Sequence, residues 1–157
     1  MKRIDESKIF GVSFFEMKKF SDDRGWLMEV YRIDEIECDP KMVYVSQTLP
    51  GVVRGPHEHR DQTDFFVFMG PGEFELHLWL PRGASPYAHE VHLVGETKPR
   101  AVIVPPGIIH AYKCVSDCPG VVFNAPDKLY AGRSKMYPVD EIRYEDDAEW
   151  TARLFSI

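Results

Sequence analysis

Short apolar or alternating runs, broken by glycine and proline, dominate the chain. Glu73-Phe74-Glu75-Leu76-His77-Leu78-Trp79-Leu80 alternates with period two, as a strand with one buried face does. Comparable runs predict strands at 9–15, 26–32, 43–49, 64–69, 89–94, 101–104, 110–115 and 121–124. The separators are turn formers: Leu49-Pro50-Gly51, Gly70-Pro71-Gly72, Pro81-Arg82-Gly83 and Pro105-Pro106-Gly107. Helical periodicity is nearly absent. Only the tail 139–155, with Glu145-Asp146-Asp147-Ala148-Glu149-Trp150, predicts a short C-terminal helix. Many short strands between turn signals predict an all-β sandwich or barrel, with 1–157 as one domain.

Composition narrows the partners. Lys plus Arg is 19 and Asp plus Glu is 25, a net charge of −6, and no basic run is present. Such a chain is poorly suited to coating nucleic acid. Single arginines can still hold a phosphate. No apolar stretch reaches membrane-spanning length, and Met1-Lys2-Arg3-Ile4 has no apolar core behind its basic pair, so neither an anchor nor a secretory signal is expected. The three cysteines, Cys38, Cys114 and Cys118, read as free thiols of a reducing compartment. A cytoplasmic location follows as the expectation.

The candidate chemistry lies in two segments. One is Gly51-Val52-Val53-Arg54-Gly55-Pro56-His57-Glu58-His59, followed by Asp64; the other is Pro105-Pro106-Gly107-Ile108-Ile109-His110. Histidines at i and i+2 of an extended strand share a face. In a strand from Asp64, Phe66 and Phe68 share the aspartate's face, while Phe65 and Val67 take the other. An aspartate facing inward among phenylalanines needs a charge partner. A divalent cation held by His57, His59, Asp64 and His110 would be one, and Zn, Fe, Mn, Ni or Co all suit three imidazoles and a carboxylate. The rival reading leaves His57 and His110 metal-free and turns His59 to solvent. No glycine loop of nucleotide-triphosphate type and no Ser-His-Asp arrangement is present, and no organic cofactor is expected.

Several segments, in order along the chain, resemble the dTDP-4-dehydrorhamnose 3,5-epimerase family. Asp22-Asp23-Arg24-Gly25-Trp26-Leu27-Met28-Glu29 is similar to its D-x-RG-x-x-x-E segment, and Gly51 to His57 to its GVLRGLH. Arg82-Gly83-Ala84-Ser85-Pro86-Tyr87 is similar to R-x-GSPTF, and Val104 to His110 to IPxGxxHG. The resemblance implies a cupin jelly roll, a homodimer and a nucleotide-linked 4-keto-6-deoxy sugar as substrate. It implies His57 as the base that removes a proton next to the ketone. Arg54 and Arg24 would contact substrate or its diphosphate, Glu29 would lie near the pocket, and His110 would line it. The early Arg and Glu can reach the neighbouring subunit's site in that family.

The departures are specific. Asp64 stands at the position of the family lysine that stabilises the enolate, and Phe123 at that of the tyrosine that returns a proton. The Q-x-N-x-S segment reads Met42-Val43-Tyr44-Val45-Ser46, and the late aspartate that supports the histidine has no clear counterpart near 144–150. His57, His59, Asp64 and His110 match instead the His-x-His, carboxylate and Pro-x-Gly-x-x-His pattern of metal-binding cupins. A metal could take over the lysine's task as a Lewis acid, and Tyr112 or Tyr130 the tyrosine's. Other expectations are plainer. Trp26 and Trp79 either line a sugar pocket or pack, His77, His89 and His92 sit on the surface or a sheet face, and the loop 124–133 rims the mouth or is an ordinary turn. The function expected is therefore an epimerase or isomerase of a keto sugar. The rivals are a metal-dependent cupin of another class, such as a dioxygenase, and a non-catalytic sugar- or nucleotide-binding cupin.

Overall fold

The structure, a computed structural model, describes residues 1–80 and 88–148. Strands β1 (Lys2–Ile4), β2 (Ser13–Glu16), β3 (Lys19–Asp22), β4 (Gly25–Met28), β5 (Tyr44–Thr48), β6 (Val53–Glu58) and β7 (Asp64–Phe68) form the first part. They are followed by β8 (Glu73–Trp79), β9 (His89–Gly95), β10 (Arg100–Val104), β11 (Ile109–Cys114), β12 (Gly120–Asn124) and β13 (Ile142–Arg143). All pairings are antiparallel. One sheet runs β1-β2-β10-β7-β12-β5, the other β13-β6-β11-β8-β9, and β3-β4 is a separate hairpin. The two sheets form the sandwich expected from the strand pattern.

Phe14, Phe66, Phe68, Phe74, Leu76, Leu78, Val102, Tyr112 and Val122 fill the space between the sheets. Phe65 and Val67, the alternate residues of β7, pack with Phe15, Ile36 and Ala101 in a second cluster. The two-residue period of β7 thus sorts its side chains as expected, Asp64 going inward with Phe66. Each buried large apolar side chain contributes roughly 1.5–3 kcal/mol of transfer free energy.

The structure also departs from the expected elements. The run at 26–32 supplies only β4, and Ile9 and Val12 are buried in a turn closed by Val12 N–H to the Ile9 carbonyl (3.2 Å) rather than in a strand. β8 is covered on both faces near its end. His77 and Trp79 are buried, and Trp79 packs with Ile109 and Ala111, so this tryptophan belongs to the core among the described residues. His77 lies on that covered face, stacked on Trp79 and His89. Of the tail 139–155, where a helix is expected, residues 149–155 lie outside the described residues, as does the segment 82–87. Residues 139–147 form no helix and carry β13.

Beside the core, Glu6 ties the N-terminal segment to β10. Its carboxylate accepts from Arg100 Nε and Nη2 (3.0 Å each), and Lys98 Nζ lies 2.8 Å away. The Arg100 hydrogen bond, with Lys98 and against partial burial, pulls the Glu6 pKa from 4.5 to about 2. A depressed carboxyl pKa stabilises the fold above the unfolded value, and this gain is lost as pH falls from 4.5 toward 2. Denaturant unfolding should therefore show Glu6→Gln less stable than the parent by about 1–3 kcal/mol at pH 7. The gap should shrink steadily between pH 4.5 and 2. A gap independent of pH would refute the ion pair as its cause.

Candidate functional site

The site forms where β6, β7 and β11 meet. His57 on β6 pairs directly with His110 on β11, and their ring centroids are 4.4 Å apart. Gly55 permits this approach. Its φ is +88°, and a Cβ there would lie 2.7 Å from the His110 carbonyl oxygen. His59 lies one residue beyond the end of β6, in a turn fixed by Gly107 N–H donating to its carbonyl (2.8 Å). Asp64 opens β7. One ligand-type atom from each of His57, His59, Asp64 and His110 falls within 4.8 Å of all the others. His59 does not point to solvent; it is buried, as are Asp64 and His110.

The hydrogen bonds orient this cluster. Asp64 Oδ1 accepts from Gln62 Nε2 (3.0 Å) and Asn124 Nδ2 (2.9 Å). Its Oδ2 lies 3.1 Å from His59 Nε2 and 3.2 Å from His110 Nε2. His110 Nδ1–H donates to the Ile108 carbonyl (3.0 Å), and His59 Nδ1–H to that of Asp140. Both rings therefore turn Nε2 toward the aspartate, as outer carbonyls do for metal-ligating histidines. Asp64 Oδ2, His110 Nε2 and His57 Nδ1 are buried without an aligned hydrogen-bond partner among the described residues. This fits a site able to accept a cation.

Electrostatics follow from burial and charge. Burial, reinforced by neighbouring His110, holds the His57 pKa down at about 2, so its imidazole is neutral at physiological pH. Burial opposes charge on Asp64 and on His59. For Asp64, the imidazoles of His110 and His59 outweigh it and keep the carboxyl below the usual range. For His59, the Asp64 carboxylate and the Asp140 carbonyl outweigh it and raise the pKa.

Two adjoining cavities open on this cluster, of about 620 and 470 Å3. Tyr44, His57, Glu141 and Arg143 line both. Arg54, Tyr112 and Ser46 line the first, and Tyr112 OH is 3.0 Å from Ser46 Oγ. Arg54 is braced by Nε to Thr48 Oγ1 (2.9 Å). The second cavity is walled by Met42, Leu129, Tyr130 and Lys135, so the loop after β12 does reach the mouth. Arg24 and Glu29 line neither cavity. Arg24 pairs with Asp22 on the β3–β4 hairpin (2.5 Å), and Glu29 with Arg32 (3.4 Å). Trp26, on the same hairpin, is half-exposed under the Lys19 ammonium (4.7 Å).

Sequence reasoning missed Glu141, Arg143, Tyr44, Gln62 and Asn124. Glu141 Oε1 lies 3.7 Å from His57 Nδ1, and its Oε2 accepts from Arg143 Nε (2.7 Å). This supplies a late carboxylate beside the histidine, three residues before the stretch 144–150, which has no clear sequence counterpart of the family aspartate. The alternation Glu141, Arg143 was the available signal, hidden by a strand of two residues. Phe123, at the family tyrosine position, pairs with Val67 and packs in the outer cluster, whereas Asn124 faces Asp64.

Comparison with known proteins identifies the family. Residues 6–149 match the family model described as dTDP-4-dehydrorhamnose 3,5-epimerase. A probable low-salt glycan biosynthesis epimerase of Haloferax volcanii, Agl13, is 35% identical over 127 residues, 78% of this chain and 81% of the relative. A dTDP sugar isomerase of Desulfovibrio desulfuricans superposes with a TM-score of 0.75 at 21% identity, covering 90% of this chain and 88% of that one. The sugar 3,4-ketoisomerase QdtA of Thermoanaerobacterium thermosaccharolyticum, solved in complex with TDP, gives 0.68 at 17% identity, covering 94% and 98%. The motifs, the antiparallel sandwich and a match over nearly the whole length agree, and the chain belongs to the dTDP-4-dehydrorhamnose 3,5-epimerase family of nucleotide-sugar epimerases and isomerases, with its cupin fold.

Proposed function

We propose that this protein epimerises or isomerises a nucleotide-linked 4-keto sugar by moving a proton on a carbon next to the carbonyl. One observation carries the reading: a neutral, half-buried His57 on the shared wall of two cavities, backed by the Glu141 carboxylate at 3.7 Å. The imidazole would take the proton, and Glu141 would stabilise the imidazolium that forms. Arg54 and Arg143 offer cationic forks to a diphosphate. The TDP bound by QdtA makes a thymidine nucleotide the first substrate to try. Deuterium incorporation from D2O into TDP-4-keto-6-deoxyglucose and related sugars tests the proposal. Exchange next to the carbonyl is expected; none across a panel of such sugars would refute it.

A second reading rests on the unpaired Asp64 Oδ2 and His110 Nε2. His57, His59, Asp64 and His110 would hold a divalent cation. When bound, it would supply a Lewis acid for the ketone oxygen, the task of the family lysine. A ligating His57 could not also be the free base, which would pass that role to Glu141. Elemental analysis of purified protein should then find close to one metal per chain, lost in His59→Ala. Full activity in thoroughly chelated, metal-free protein would sink this reading.

Homodimer assembly belongs to the same proposal. Among the described residues β5 is an edge of its sheet, with Val43, Val45 and Leu49 exposed on or beside it, and a second copy would bring Arg24 and Glu29 near a site they do not reach within one chain.

A further inference from the structure

We propose that Tyr44 is the acid that returns a proton to the sugar on the face opposite His57, an assignment that rests on the epimerase reading above. Among the described residues, three tyrosines border the cavities. Tyr112 is held on Ser46 (3.0 Å) and ringed by Phe66, Phe68 and Phe74. Tyr130 borders the second cavity and does not line the first. Tyr44 alone of the three lines both cavities with His57. The two side chains come from different sheets, Tyr44 from β5 and His57 from β6, and line the cavities from different walls, with 45% of the Tyr44 surface open to solvent.

The hydroxyl of Tyr44 is also oriented. The β5–β12 register sets Tyr44 opposite Asn124, and Asn124 Nδ2 donates to Tyr44 OH at 2.7 Å. The same amide group donates to Asp64 Oδ1 at 2.9 Å, which fixes which end of the amide faces the tyrosine. The phenol oxygen therefore accepts from Asn124, and its own O–H remains to donate elsewhere. Phe123, next to Asn124, is turned into the outer cluster. The hydroxyl that β12 lacks at 123 is thus supplied from the paired strand.

The step balances. The C–H bond next to the ketone breaks, its proton going to His57 and its electron pair to the enolate. The Tyr44 O–H then breaks as a C–H bond forms on the other face. Solvent reprotonates the phenolate and takes the proton from the imidazolium, leaving substrate inverted at that carbon.

Tyr44→Phe separates the two halves of this reaction. His57 can still remove a proton and return a deuteron to the same face, so exchange from D2O should persist within a few-fold of the parent. Inverted product per exchange event should fall at least about 100-fold. Mass spectrometry reads the exchange and NMR the stereochemistry in one sample, and persisting exchange shows the variant is folded. Retention of both, or loss of both, would overturn the assignment. A parent that exchanges no sugar would instead remove the epimerase reading itself.

Discussion

His57→Asn should lower kcat/KM on a 4-keto nucleotide sugar by about 10^3-fold and abolish solvent exchange, without unfolding the protein. A positioned general base is worth roughly 10^2- to 10^4-fold, and among the described residues His57 is the one imidazole that lines both cavities. Burial and His110 suppress its charge, so the ring is ready to accept a proton at neutral pH. Its full effect is needed only once it becomes imidazolium, when Glu141 at 3.7 Å supplies the countercharge. Glu141→Gln should therefore cost less, roughly tenfold, the worth of ~1.4 kcal/mol. Circular dichroism should be unchanged in both variants, because His57 Nδ1 has no hydrogen-bond partner among the described residues to lose. If His57→Asn kept exchange within tenfold of the parent, the base would have to be sought elsewhere.

Much of this site was legible because it rests on short-range rules. The period of two in Asp64-Phe65-Phe66-Val67-Phe68 is local, and it sent the aspartate inward with Phe66. His57 and His110 carry motif positions on strands that pair directly. What could not be read depends on register between distant strands. Phe123 aligned with the family tyrosine in sequence, yet the β12–β7 register turns it outward and leaves Asn124 at Asp64. A one-residue difference in register exchanges the two faces of a strand. In the sequence Tyr44 stands out only as part of the departing segment Met42 to Ser46. Its role appears once β5 is paired with β12. Glu141 belongs to a segment whose two-residue strand β13 is too short for any periodic signal. His59 was undecided because β6 ends at Glu58. Alternation says nothing about a residue past the strand, and the Asp140 carbonyl that holds its ring is 81 positions away.

Asp64→Ala should be the most destabilising single change at the site, by about 3–5 kcal/mol. The carboxylate is buried, and it accepts from two side-chain amides while lying 3.1 and 3.2 Å from two imidazoles. Alanine would leave the Gln62 and Asn124 amides each short of an acceptor and remove the charge that sustains a raised pKa at His59. It would also open a small polar void between the sheets. For a chain of this length the loss corresponds to a fall in Tm of roughly 10 °C or more. Asp64→Asn separates hydrogen bonding from charge. Its amide oxygen can accept from Gln62 and Asn124, and its NH2 can donate to the Nε2 atoms that His59 and His110 present once their Nδ1–H groups engage carbonyls. Asparagine should therefore recover more than half of the stability lost to alanine. Metal content separates the two readings of the cluster in the same variant. If the cluster holds a cation, Asp64→Asn loses both metal and activity while staying folded, because an amide is a poor replacement for an anionic ligand. If the aspartate serves only to seat His59, His110 and Asn124, then Asp64→Asn keeps most of the activity and neither protein contains metal.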